Sequence, residues 1–138
     1  MRVLIVGGGA AGLMAAGTAA RQGHAVTVLE RNARPARKVM ITGKGRCNVT
    51  NACTVPEVIA QVRHNARFLY SALTAFTPQD TVAFFEALGV PHKTERGGRV
   101  LPVSDKAVDN VDALVGQAKT AGVRFQQGRA AHLLTQNG

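Results

Sequence analysis

The first thirty residues carry the strongest constraint on fold: an apolar run turns through clustered glycines into an alanine-rich stretch, then returns to a second apolar run that ends on an acid. Arg2-Val-Leu-Ile-Val6 is continuous, apolar and rich in β-branched residues, the pattern of a strand covered on both faces in a parallel sheet. Ala10 to Gln22 reads as a helix stopped by Gly23, and Ala25 to Glu30 reads as a second strand. The connections are too short for anything but a right-handed β-α-β crossover.

Gly7-Gly8-Gly9-Ala10-Ala11-Gly12 between the first strand and the helix fits G-x-G-x-x-G. In a dinucleotide site Gly7 turns the chain, Gly9 lets a pyrophosphate approach the backbone, and Gly12 lets helix and strand pack closely. The small Ala10 and Ala11 keep that approach open. The helix then starts at the ligand, with unpaired N–H groups and the positive end of its dipole facing the phosphates. Glu30 closes the second strand eighteen residues after Gly12, and it is the only acid among the first 56 residues. An acid there accepts hydrogen bonds from the hydroxyls of an adenosine ribose, which favours FAD or NAD over NADP. Arg31 beside it leaves a ribose phosphate open.

Beyond Glu30 the periodic pattern lapses until about Thr54, as in a long functional loop. Helical signals return at Pro56, and Phe68, Leu69, Ala72, Leu73 and Phe76 share one face at helical spacing. Thr77-Pro-Gln-Asp80 offers an N-cap, a first-turn proline and an acid at the third helical position. Val100 to Val103 is a short extended piece. Ser104 can then cap a helix with a stripe of Val108, Val111, Leu114, Val115 and Ala118, ending at Gly122. Val123 to Gln127 and Ala130 to Thr135 are strand candidates, and Asn137-Gly138 is a hairpin-turn dipeptide.

The composition suits a soluble domain or part of one, with no apolar run of the roughly 18 residues a membrane span needs, and a cytosolic setting is expected. Cys47 and Cys53 are too few for a disulfide scaffold, and no zinc spacing or other metal site is expected. None of His24, His64, His92 and His132 sits in a catalytic motif. The formal net charge is +9, and up to Pro56 eight basic residues face one acid. Such a field attracts anions, whether nucleotide phosphates or nucleic acid. An aromatic share of only 4% and the lack of a stacking platform or recognised module count against nucleic acid. Arg46, in a glycine-rich loop, is placed to meet phosphate oxygens.

Three segments together resemble the YhiN/BaiN-like family of NAD(P)/FAD-dependent oxidoreductases, which includes aminoacetone-oxidase-like enzymes. They are the glycine loop, Arg37-Lys-Val-Met-Ile-Thr-Gly-Lys-Gly-Arg-Cys-Asn-Val-Thr-Asn51 and Gly98-Arg-Val-Leu-Pro-Val-Ser-Asp-Lys-Ala107. The resemblance implies an α/β, Rossmann-like FAD-binding domain of glutathione-reductase type, with residues 1–138 its amino-terminal part. It implies that a later substrate domain and a closing FAD-binding segment lie beyond this text. It also implies that Gly43, Gly45, Arg46, Cys47 and Asn48 line the flavin and pyrophosphate side, with Lys38 nearby, and that Ala131 is a backbone contact to adenine. FAD is the implied cofactor and NAD(P)H a candidate electron donor. The substrate is a small molecule whose identity, like the catalytic residues, is left open. A plain NAD-dependent Rossmann oxidoreductase and a basic nucleic-acid-binding fragment are the competing readings. A redox disulfide is disfavoured, because Cys47 and Cys53 do not have the spacing of disulfide reductases.

Overall fold

A computed structural model of the chain describes Met1 to Thr135, so the Asn137-Gly138 turn lies outside the described residues. The chain forms two compact units, one of Met1–Met40 with the chain from Leu114 onward, the other of Ile41–Ala113.

In the first unit, strand β1 (Arg2–Val6), helix α1 (Ala10–Arg21) and strand β2 (Ala25–Glu30) form the expected β-α-β crossover. Strand β6 (Arg124–Gln127) joins on the far side of β2, giving a parallel sheet in the order β1-β2-β6. The register pairs Arg2 with Ala25, Val6 with Leu29, Thr27 with Arg124 and Glu30 with Gln127. Side chains alternate across the sheet, so Val26 and Val28 are buried on one face with Ala16, Ala118 and Val123, and Val3, Ile5 and Phe125 pack around them. Burying each such valine contributes about 1.5–3 kcal/mol. The alanines of α1 let its axis lie close to the strands, and Gly23 (φ 84°) ends it by donating its N–H to Ala20 O.

Helix α6 (Ala107–Thr120) carries the expected stripe, but the buried set also holds two polar residues, Asn110 and Gln117. Gln117 lies where Gly17 of α1 has no Cβ. Its Nε2 donates to Leu13 O at 3.2 Å, and its Oε1 accepts from Arg21 Nη1.

Two expectations for this unit fail. Strand β1 is not covered on both faces: the core lies on the Val3 and Ile5 side, leaving Leu4 63% and Val6 58% exposed. Ala130 to Thr135 form no strand, because among the described residues no neighbour hydrogen-bonds to them as one, and Leu133 and Leu134 stay in solvent.

The second unit holds an antiparallel sheet of β3 (Thr50–Asn51), β4 (His92–Thr94) and β5 (Arg99–Pro102), in the order β3-β5-β4. Of these the sequence showed only β5 as extended. Val100, Leu101 and Pro102 are buried on it. Helix α2 (Arg37–Ile41) leads into this unit, followed by α3 (Val55–Gln61), α4 (Ala66–Ala75) and α5 (Pro78–Ala87). Thr77 and Asp80 form the anticipated N-terminal cap of α5, each bonding the other's backbone N–H, and Thr54 with Glu57 does the same for α3. Helix α4 forms where its periodicity predicts, yet its apolar face is not core. None of its residues is buried and Phe68 is 84% exposed, because among the described residues only α3 packs closely on it.

Candidate dinucleotide site

The site is built at the carboxyl ends of β1 and β2, where open parallel sheets bind their ligands. Val6 passes into Gly7, whose φ of 99° turns the chain while its N–H still donates to Leu29 O at 2.8 Å. Gly9, in extended conformation (φ −77°, ψ −175°), is the N-cap of α1, and no side chain caps the helix. The first-turn N–H groups of Ala10, Ala11 and Gly12 thus lie at an open end, with no acid in that turn. A Cβ added at Gly9 would meet nothing within 4 Å, whereas one at Gly12 would collide with the carbonyl oxygen of Gly7. Gly12 is therefore the packing glycine, and Gly9 faces the space a pyrophosphate would fill. That geometry fits the dinucleotide the motif implies.

Glu30 is not a solvated carboxylate at a strand end. Its Oε2 accepts the Gly8 N–H at 2.7 Å, and its Oε1 accepts the backbone N–H of Asn32 at 2.8 Å and the Asn32 amide at 2.6 Å. The Asn32 backbone bond, the Gly8 N–H, the Asn32 side chain and nearby Arg31 together hold its carboxyl below the ordinary 4.5, against desolvation that pushes it up. A carboxylate offers about four acceptor positions, so three bonds leave room for a ribose hydroxyl. The chain after Glu30 folds back over the loop. The Ala36 N–H donates to Gly8 O at 2.7 Å, and a Cβ at Gly8 would stand 3.0 Å from Pro35 Cβ. Asn32, Pro35 and Ala36 are thus site residues that sequence reasoning missed. An amide two residues past a strand-terminal acid was the available signal for Asn32.

Arg31 and Lys38 are both exposed. Ala131 is exposed as well. It follows Gly128, whose N–H donates to the carbonyl of Glu30 at 2.9 Å, so the chain leaves β6 beside Glu30.

The remaining sequence-derived residues belong to the second unit. Gly43, Lys44, Gly45 and Cys47 all have positive φ, and the Cys47 N–H donates to Thr42 O at 3.1 Å, making a tight left-handed loop. Lys44 and Cys47 hold that conformation without being glycine, at about 1–2 kcal/mol each. Cys47 is buried and both cysteines are free thiols. Asn48 Oδ1 accepts the Val100 N–H at 3.0 Å, which pins the loop to β5. Arg46 differs most from its expected role as a phosphate ligand. Its Nη1 donates to Glu95 at 2.9 Å and to Asp105 at 3.5 Å, and Asp105 also accepts from Lys93 at 2.6 Å. The Lys93 hydrogen bond is the main cause holding the Asp105 carboxyl below its ordinary value. Arg46 thus ties the loop to an acidic pair in this unit.

Among the described residues no cluster of His, Cys, Asp and Glu could hold a metal, and no helix is long and apolar enough to cross a membrane.

The fold is shared with the THI4 structure of Thermovibrio ammonificans, which aligns over 93% of this chain and 38% of that one with a TM-score of 0.59 and 21% identity. Among curated proteins, the chain is 32% identical over 123 residues to the ribosomal RNA dihydrouridine synthase of Escherichia coli (strain K12), covering 89% of this chain and 30% of that protein. It is 35% identical over 129 residues to the 3-dehydro-bile acid delta(4,6)-reductase of Clostridium scindens, covering 92% of this chain and 31% of that protein. The chain therefore spans less than a third of the length of these two relatives. Residues 1–137 match the family model described as the HI0933-like protein Rossmann domain. In line with the resemblance carried by the glycine loop, Arg37 to Asn51 and Gly98 to Ala107, the chain belongs to this HI0933-like family, whose Rossmann domain it carries.

Proposed function

We propose that the chain holds the adenosine diphosphate half of FAD and is the amino-terminal part of a longer flavoprotein reductase. The observation that carries this reading is the open amino terminus of α1 at Gly9, next to a carboxylate that Gly8 and Asn32 hold in place. The N–H groups of Ala10, Ala11 and Gly12 would bind the pyrophosphate, and Glu30 would accept a ribose hydroxyl. Gly43, Gly45, Cys47 and Asn48 would stand toward the flavin, Lys38 and Arg31 would add positive charge, and Ala131 would meet adenine. When bound, the flavin supplies hydride chemistry, and NAD(P)H is the donor that would recharge it.

The names of the two relatives share one transformation. Dihydrouridine is uridine with its ring double bond reduced, and a delta(4,6)-reductase acts on ring double bonds. Reduction of a carbon–carbon double bond conjugated to a carbonyl is the reaction class we assign to the whole protein. Two free thiols suit a reducing, cytosolic compartment.

Titration of the 138-residue chain with FAD, NAD and NADP tests the site. Binding of FAD is expected with a dissociation constant above about 1 μM, since this chain covers only part of the cofactor. NADP should bind at least tenfold more weakly than NAD, because Glu30 repels a ribose phosphate. Equal affinities for NAD and NADP would show that Glu30 does not face the ribose. Binding of NAD without any FAD binding would return the chain to a plain dehydrogenase.

A further inference from the structure

We propose that Asp105 and Lys93 are positioning residues for the flavin end of the site: the Asp105 carboxylate, fixed by Lys93, sets through Arg46 where the loop from Gly43 to Asn48 stands. This rests on the reading above that the loop faces the flavin. Five side chains of the second unit form a chain of alternating charge, Lys93–Asp105–Arg46–Glu95–Arg99. Lys93 lies on β4, Glu95 just after it, Arg99 on β5, Asp105 in the turn between β5 and α6, and Arg46 in the loop. Asp105 joins two of these places through separate oxygens. Its Oδ2 accepts from Lys93 Nζ at 2.6 Å and its Oδ1 from Arg46 Nη1 at 3.5 Å.

The carboxylate is fixed before Arg46 meets it. Asp105 has a φ of 58°, in the left-handed region, and its N–H donates to Pro102 O at 3.0 Å, so the turn sets its backbone while Lys93 sets its side chain. Among residues other than glycine, Asp and Asn tolerate that conformation best. The loop needs such an anchor. Lys44 and Cys47 are left-handed as well, and strained backbone persists only where its surroundings over-determine it. Asn48 and Val49 are bonded to Val100 at the far end of the loop, and Arg46 carries the stretch before them to the acids. One nitrogen, Nη1, donates to both Glu95 and Asp105, so displacing either acid moves the guanidinium and the loop with it. The paired side chains of Lys93, Asp105, Arg46 and Glu95 are between 27% and 42% exposed, and ion pairs that wet add little to folding stability. What they supply is geometry, the second layer of contacts that holds a ligand-facing segment in place. This also gives a role to the Gly98 to Ala107 segment, which contributes no ligand to the site described above.

NMR titration of the 138-residue chain with FAD and, separately, with ADP distinguishes the flavin end from the ADP end. Wild type should bind FAD more tightly than ADP. Asp105→Asn keeps a residue that tolerates the left-handed turn and removes only the charge. It should lower FAD affinity about three- to fivefold, as the loss of a partly exposed pair does, and leave ADP affinity unchanged. Asp105→Gly, which frees the turn of strain, should lose as much FAD affinity, because the carboxylate and not the turn holds Arg46. Lys93→Gln should act in the same direction, and Lys93→Gln/Asp105→Asn should be no worse than Asp105→Asn alone. A merely structural role would lower FAD and ADP affinity together, so equal losses for the two ligands would overturn the proposal. Wild-type FAD affinity in Asp105→Asn or in Asp105→Gly would overturn it too. Wild type that binds ADP as tightly as FAD would overturn it while leaving the ADP site intact, whereas wild type that binds neither would overturn the FAD reading along with it.

Discussion

Gly9→Ser separates what the glycine loop does for the fold from what it does for a ligand. Gly9 already has the extended conformation of an N-cap, and its Cβ position is empty to 4 Å, so serine fits without strain. Its hydroxyl can accept an N–H of the first turn of α1, which no side chain now caps. Serine exceeds glycine as an N-cap by a few tenths of a kcal/mol, so stability should rise by about 0.3 kcal/mol. The same hydroxyl takes a donor and the space proposed above for the pyrophosphate. Losing one charge-assisted bond costs about 1.5–3 kcal/mol, roughly a ten- to hundredfold fall in FAD affinity. Gly12→Ala should show the opposite balance. Its Cβ would meet the Gly7 carbonyl and come within 3.4 Å of Ile5 Cγ2, and such overpacking costs about 1–3 kcal/mol of folding stability. Urea denaturation followed by circular dichroism reads the first quantity, and FAD titration by NMR, which tolerates weak binding, reads the second. Undiminished FAD affinity in Gly9→Ser would refute the placement of the pyrophosphate. A Gly9→Ser variant destabilised as much as Gly12→Ala would refute the division of roles.

Glu30→Gln should weaken FAD binding by about 1–3 kcal/mol and also destabilise the loop, because an amide nitrogen would face N–H donors that now have a carboxylate. Since the folded-state carboxyl lies below 4.5, Glu30 contributes stability above that pH that is lost as pH falls through the lowered value, so the urea midpoints of wild type and Glu30→Gln should converge on acidification below about pH 4.5. A gap independent of pH would show that the carboxylate charge is irrelevant to the fold. For Arg46, Arg46→Gln and Glu95→Gln should reduce FAD affinity by similar factors, with the double variant no worse than either single one, if the arginine acts by anchoring its loop. A large loss in Arg46→Gln alone would make the guanidinium a direct ligand.

What was legible in the sequence follows from how far apart the interacting groups lie. The glycine loop, α1, β2 and Glu30 sit within thirty residues, so one local pattern specified strand, turn, helix and acid together. The cap of α5 was equally plain, because Thr77 and Asp80 are three residues apart. Asn32 was hidden, since its value depends on the chain turning back at once over Gly8. The acids that engage Arg46 lie 49 and 59 residues away, and no spacing rule reaches them. Helix α4 shows a different limit: periodicity placed Phe68 on one helical face with Leu69, Ala72, Leu73 and Phe76 but does not say whether anything covers that face, and Phe68 stands in solvent. Gly12 and Gly17 make the distinction sharpest, because both are glycines in one alanine-rich helix and a Cβ at either would collide with a neighbour. At Gly12 the neighbour is the Gly7 carbonyl, five residues away and fixed by the motif itself. At Gly17 it is the side chain of Gln117, whose bond to Leu13 O spans 104 residues. The first glycine is readable because the motif contains its own packing partner, and the second becomes readable only when α6 has been laid across α1.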